Sequence, residues 1–199
     1  KKNISRIKHG LVVTCVGDSG VSTYKRSRRG NAMIDRAAEK VLQDSGSPYN
    51  ILDFFPSGSD ERQYCSPGFN LPVGSLMRTP YGRYPEYHTS ADNLKFISVR
   101  ALRDSLEKYL GIFYILENNH VYLNSHPYGE PQLGRRGLYA SYGTPAGRSP
   151  TEKGFLWVLN LSDGGNSLLD IAIRSGLKFI EIKEAAERLK KAGLLRRLS

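Results

Sequence analysis

The stretch "HGLVVTCVGDSG", His9 to Gly20, constrains the fold of this chain more than any other. Its β-branched, continuously apolar run closed by a Gly-Asp-Ser-Gly turn predicts a short strand buried on both faces. Such strands occur in sheets layered between helices, so the expected class is α/β. A strand of that kind needs neighbours on either side, and the chain reads as a register taken from a longer domain.

Further elements follow from periodicity. In "NAMIDRAAEKVLQDSG" the pairs Met33/Ile34, Ala37/Ala38 and Val41/Leu42 stack at helical spacing, and Gly46 supplies a stop. "LPVGSLMR" predicts another short strand. "SVRALRDSLEKYLGIFYILENN" places Leu102, Leu106, Tyr109, Phe113 and Leu116 on one stripe, predicting a long helix packed on the sheet. From Asn118 onward Gly, Pro, Ser and Tyr dominate without periodicity, which reads as a connecting arm. "GFLWVLNLSDGG" then reads as a strand and turn. Two helices parted at Gly176 follow, with Gly193 as a stop and "LLRRLS" behind it, the layout of a winged helix-turn-helix. The expected divisions are residues 1–118, an arm at 119–151, and a small domain at 152–199.

Of the 199 residues 39% are apolar and 24% charged, ordinary globular material. No apolar run reaches the roughly 20 residues of a membrane span, and no signal peptide is visible. Cys15 and Cys65 form no CxxC pair, which argues for a reducing, cytoplasmic setting and against a zinc ribbon. Most of the net charge of +10 lies in the first thirty residues, which hold eight Lys/Arg against one Asp. The densest cluster, "YKRSRRG" (Tyr24 to Gly30), reads as a loop, either solvated or docking an anion. The second helix of the winged module carries both signs at Glu181, Lys183, Glu184, Glu187, Arg188, Lys190 and Lys191. A groove-reading helix is expected to be more basic, so protein contact or a structural role is favoured over nucleic acid.

The remaining signal lies in "GSDERQYCSPGFNLPVGSLMRTPYGRYPEYHTSADN", Gly58 to Asn93. With its Ser-Asp loop, short apolar strand and Tyr-His-Thr followed by Asp, this segment resembles the C-terminal part of zinc aminopeptidases of the bacterial leucyl aminopeptidase and glutaminyl cyclase superfamily. "SDERQYCSPG", "YGRYPEYHTS" and "YLNSHPYGEPQLGRRGLY" are similar to the aminopeptidase-like proteins associated with polysaccharide biosynthesis, which carry a C-terminal winged-helix module. The resemblance runs from "GLVVTCVGD" to "AAERLKKAGLL" and implies the C-terminal half of a three-layer α/β/α domain followed by that module.

It also implies roles. His88 falls where the family places its last zinc ligand, and Tyr87 where a phenol steadies the developing oxyanion. Asp60 matches a loop aspartate that orients a ligand or holds the substrate amine. Asp92 reads instead as the N-cap of a helix starting near Asn93. Thr14 stands where many relatives have a second-zinc aspartate, with Asp18 four residues on, so one zinc rather than two is implied. The other ligands and the general base lie N-terminal to this segment in the family, so the chain alone is expected to be inactive.

His9, His120 and His126 have no HxxxH or HxH spacing to His88 and read as strand-edge or loop residues. Arg78, Tyr81, Arg83 and Tyr84 either shape an anion-recognising groove or pack over a sheet edge. Glu61, Arg62 and Gln63 either touch substrate or form an internal polar network. The implied substrate is a peptide or aminoacyl-like molecule. The alternative is a non-catalytic binding protein with a degenerate metal site. An incomplete sheet is further expected to leave an apolar face that drives homo-oligomerisation.

Overall fold

The computed structural model describes residues 3–139 and 150–198; residues 140–149 of the stretch read as a connecting arm lie outside them. The chain divides into two units, residues 1–116 and 117–199.

The first unit holds a four-stranded mixed sheet in the order β1-β4-β2-β3, built from Gly10–Val13, Val73–Met77, Ser22–Lys25 and Tyr49–Leu52 respectively. β1 runs parallel to β4, β2 antiparallel to β4, and β3 parallel to β2. Helices α1 (Met33–Asp44), α2 (Glu61–Tyr64) and α3 (Val99–Asn118) complete the unit. Alternation along β2 assigns the layers. Tyr24 donates to Asp35 of α1, whereas the next residue, Lys25, reaches Glu61 of α2. α3 lies on the α1 side, since a Cβ on Gly111 would sit 3.2 Å from Val41, and Tyr109 donates to the Leu76 carbonyl of β4.

Helix α1 forms as its periodicity requires, burying Ile34, Ala37, Ala38 and Leu42. Asp35 anchors its first turn, accepting from the backbone N–H groups of Ala32 and Ser27 and from the Ser27 hydroxyl. Gly46, at φ +66°, follows the last turn.

Several expectations are corrected. Among the described residues β1 pairs only with β4, and it is not buried on both faces: none of its four residues is buried and Val13 is 61% exposed. The basic loop begins inside β2, where Tyr24 and Lys25 are fully buried. On α3 the buried residues are Ala101, Ser105, Lys108, Tyr109, Ile112 and Ile115. Of the expected stripe only Tyr109 is buried, and Leu102, Leu106 and Phe113 are exposed. The helix has two faces with apolar content, and periodicity alone does not say which one meets the sheet. It also begins at Val99, so Asp92 is not its cap; the Ser98 hydroxyl accepts from Ala101 N–H instead.

The second unit is a winged helix-turn-helix. β5 (Val121–Asn124), inside the expected arm, pairs antiparallel with β6 (Asp163–Ser167) and β7 (Leu195–Arg197). The "GFLWVLNL" run is helical, not a strand: it lies in α4 (Pro150–Leu161), which buries Phe155, Val158 and Leu159 at helical spacing while Trp157 stays 39% exposed. A short apolar run has no period of its own to separate the two outcomes. Gly154 lets α4 approach α6 (Phe179–Lys191), where a Cβ would meet that of Ala185 at 3.1 Å. α5 (Leu168–Ser175) starts with Ser167 and Asp170 capping each other's backbone N–H groups and ends at Gly176, φ +70°.

Candidate functional site

The carboxyl end of β1 opens into a cavity of about 520 Å³. Its walls come from the loop Thr14–Asp18, from Ser59, and from the segment carrying Tyr84, Tyr87, His88, Asp92 and Phe96. Ligand sites of open α/β sheets lie beyond the carboxyl ends of strands, and this cavity has that position.

An aromatic stack shapes the second wall. The His88 ring lies on Tyr87 with centroids 4.1 Å apart and planes 17° off parallel. Tyr87 meets Tyr84 edge-on at 5.5 Å, and Tyr84 stacks on Phe96 at 5.2 Å. The Tyr84 hydroxyl donates to Cys15 Sγ at 3.3 Å across the cavity. Burial, with the Cys15 contact, pushes the Tyr84 phenol well above its ordinary range. Two residues on these walls, Cys15 at φ +48° and His88 at φ +58°, occupy the left-handed region without being glycine. That conformation costs about 1–3 kcal/mol per residue and clusters at binding and catalytic sites.

The acids divide sharply. Asp18 is 4% exposed. It accepts from Gly20 N–H at 2.7 Å, Thr79 Oγ1 at 2.6 Å and Thr79 N–H at 3.2 Å. Asp18 therefore ties the loop after β1 to the residues after β4. Asp92 is exposed at the rim. Thr14 presents a hydroxyl side chain where β1 ends, with Oγ1 3.5 Å from Cys15 Sγ.

The remaining candidates sit elsewhere. Glu61 is fully buried and pairs with fully buried Lys25 at 2.8 Å. Lys25 also donates to the Ser57 carbonyl at 2.8 Å and to Tyr81 Oη at 3.0 Å, and its ammonium lies 3.7 Å from the Phe55 ring centroid. The Tyr81 hydroxyl donates to the same Ser57 carbonyl at 2.9 Å, so Tyr81 belongs to this knot. Burial raises its phenol, although the Lys25 ammonium pulls the other way. The knot fixes the Ser57–Asp60 loop that brings Ser59 to the cavity. Asp60 is exposed at the start of α2 and makes no side-chain cap bond. Arg83 is exposed. Arg78 lines a different cavity, with Nη1 2.6 Å from Asp104. Lys25 had no signal in the sequence beyond membership of a basic cluster, and Cys15 none beyond being a cysteine.

These features, an open mixed α/β sheet with a cavity at the end of β1 and, later in the chain, a winged helix-turn-helix, define the class. The chain belongs to the family described as Domain of unknown function (DUF4910), whose model matches residues 1–119, and a winged helix-turn-helix model matches residues 120–197. A protein of Clostridium acetobutylicum named "Putative polysaccharide biosynthesis protein with aminopeptidase-like domain" is 54% identical over 193 residues, which cover 97% of this chain and 44% of that protein. The crystal structure of a "putative peptidase" from Clostridium acetobutylicum matches with TM-score 0.90 at 51% identity, over 99% of this chain and 43% of the other. The chain thus spans less than half the length of these relatives and corresponds to the C-terminal part. Among the described residues no helix is long and apolar enough to cross a membrane.

Proposed function

We propose that this chain carries part of the substrate cleft of a peptidase-like hydrolase, and that the 520 Å³ cavity receives the amide to be cleaved. The observation that carries this reading is the pair of left-handed non-glycine residues, Cys15 and His88, held on walls of one cavity at a strand end. Backbone held in this sparsely populated region clusters at binding and catalytic sites. Tyr87 is the donor for a developing oxyanion, and its ring, clamped between His88 and Tyr84, has little freedom to drift.

The family resemblance implies a zinc ion, and the described residues do not make a site for one by themselves. No three His, Cys, Asp or Glu side chains converge among them, and the buried acid of the cavity is committed to Thr79 and Gly20. A zinc held here would take one imidazole, His88, from these residues, with its other ligands supplied from outside them.

The test is hydrolysis of an aminoacyl p-nitroanilide series by the protein at its native length, comparing wild type with Tyr87→Phe and His88→Gln. Loss of turnover in both with the thermal midpoint retained supports the cleft. Unchanged turnover in both overturns it. A second reading, a binding protein without catalysis, is favoured by Asp18, the buried acid of the cavity, whose carboxylate is engaged in holding Gly20 and Thr79. Saturable binding of the p-nitroanilides without turnover would select that reading.

A further inference from the structure

A second cavity, about 360 Å³, lies on the other side of the loop that follows β1 and has a different chemistry. Its charged residues are Arg78, just after β4, and Arg100, Asp104 and Lys108 of α3. Lys108 Nζ lies 2.5 Å from one oxygen of Asp104, and Arg78 Nη1 lies 2.6 Å from the other. Two cations thus share one carboxylate, and Arg100 adds a third positive charge to the cavity lining. Lys108 and Arg78 are 5% and 13% exposed, so solvent screens them little. The Arg78 Nε is buried with no acceptor among the described residues. Arg100 is exposed and has no ion pair among them.

Arg100 is also misplaced if only the helix is considered. It stands in the first turn of a 20-residue helix, where acids are favoured and cations are not, and that turn contains no acid. The cavity lining therefore carries more positive than negative charge, with one buried donor, Arg78 Nε, left unpartnered, and an anion would complement it. Asp104 serves as a spacer: it holds Arg78 and Lys108 in fixed positions and cancels one charge, leaving two. Serine hydroxyls such as Ser22 and Ser47 line the rest. Two surplus charges with guanidinium and hydroxyl donors match a tetrahedral dianion better than a single carboxylate. The volume exceeds that of a bare anion and falls within the range of small-molecule pockets.

We propose that this cavity binds the phosphoryl group of a small phosphomonoester. The site is independent of the peptidase reading, and its test involves no turnover. Isothermal titration of the chain with inorganic phosphate and, separately, with acetate, at matched ionic strength, distinguishes the anions. The variants are Arg100→Gln and Ser47→Glu, both at exposed positions, so neither is expected to disturb the fold. The expected result is saturable phosphate binding at one site, weakened about tenfold by R100Q and abolished by S47E, with acetate far weaker. R100Q without phosphate should hold or raise the thermal midpoint, because it removes a cation from the helix start. Equal binding of acetate would overturn the phosphoryl assignment. Absence of saturable phosphate binding, or binding unchanged in both variants, would overturn the site.

Discussion

The two units of this chain solve the problem of a core in opposite ways. The winged helix-turn-helix closes its apolar interior with side chains from three helices: Phe155 and Val158 of α4, Leu168 and Ile171 of α5, and Phe179, Ile182 and Leu189 of α6 are all 2% exposed or less. The α/β unit buries charge as well. Lys25, Asp35, Lys40, Glu61 and Lys108 are all at 5% exposure or less, while Val99, Leu102, Leu106, Leu110 and Phe113 leave an apolar stripe open along α3. A unit closed by apolar contacts tolerates rearrangement by volume alone, whereas one held by buried ion pairs depends on each partner. The unit with the buried charges also carries both cavities for which roles are proposed above.

The largest expected effect probes the buried pair. Lys25→Met leaves Glu61 charged and buried without its partner, and should cost about 3–5 kcal/mol. Denaturant unfolding followed by residue-resolved hydrogen exchange should show the loss confined to the α/β unit. The double variant K25M/E61L should recover much of it. A small loss from K25M alone would break the contrast between the units.

On the other side, Leu189→Ala in α6 should cost about 2–5 kcal/mol by cavity formation, with exchange accelerated only in the winged-helix unit. Leu106→Gln on the open face of α3 should change stability by less than about 0.5 kcal/mol. Ile112→Ala on the buried face of the same helix should cost about 2–5 kcal/mol. Equal losses from the two would show that the stripe is covered in solution, and light scattering of L106Q against wild type would then report whether a second copy covers it.

The smallest effect concerns pH. Burial, and then the positive charges of Arg197, Lys190 and Lys183, lower the pKa of His120. Its folded form therefore takes up a proton at a lower pH than its unfolded form. Stability from this residue is level above the ordinary histidine range near ~6.5 and is lost as pH falls through that range toward the folded value. Thermal midpoints measured across that window should decline less steeply in His120→Gln than in wild type. Parallel slopes would remove His120 from the account.

Which features were legible in advance follows the same division. The α5–α6 pair, its turn at Gly176 and its end at Gly193 all rest on residues within a few positions of one another, and all are present. Helix α1 and its stop at Gly46 are equally local. The strand reading of "GFLWVLNL" failed because a short apolar run looks alike in either state until its neighbours choose, and here Ala185 and Ile182 of α6 pack beside Gly154. Of the candidate site, the Tyr87–His88 wall was visible as a motif. The opposite wall at Cys15 and the separation of Glu61 and Tyr81 from it were not.

What this sequence determined by itself is the set of helices with clear periods and caps, the Gly-marked stops, and the Tyr-His segment that forms one side of a cavity. Only the tertiary structure decided that β1 lies at an edge among the described strands, that Lys25 is buried against Glu61 and Tyr81, and that Arg78 joins Lys108 on Asp104 and does not line the His88 cavity. The reason is separation along the chain: Lys25 finds partners 36 and 56 positions away. The side-chain alternation of a strand states which residues share a face, and the pairing of distant strands alone settles what that face meets.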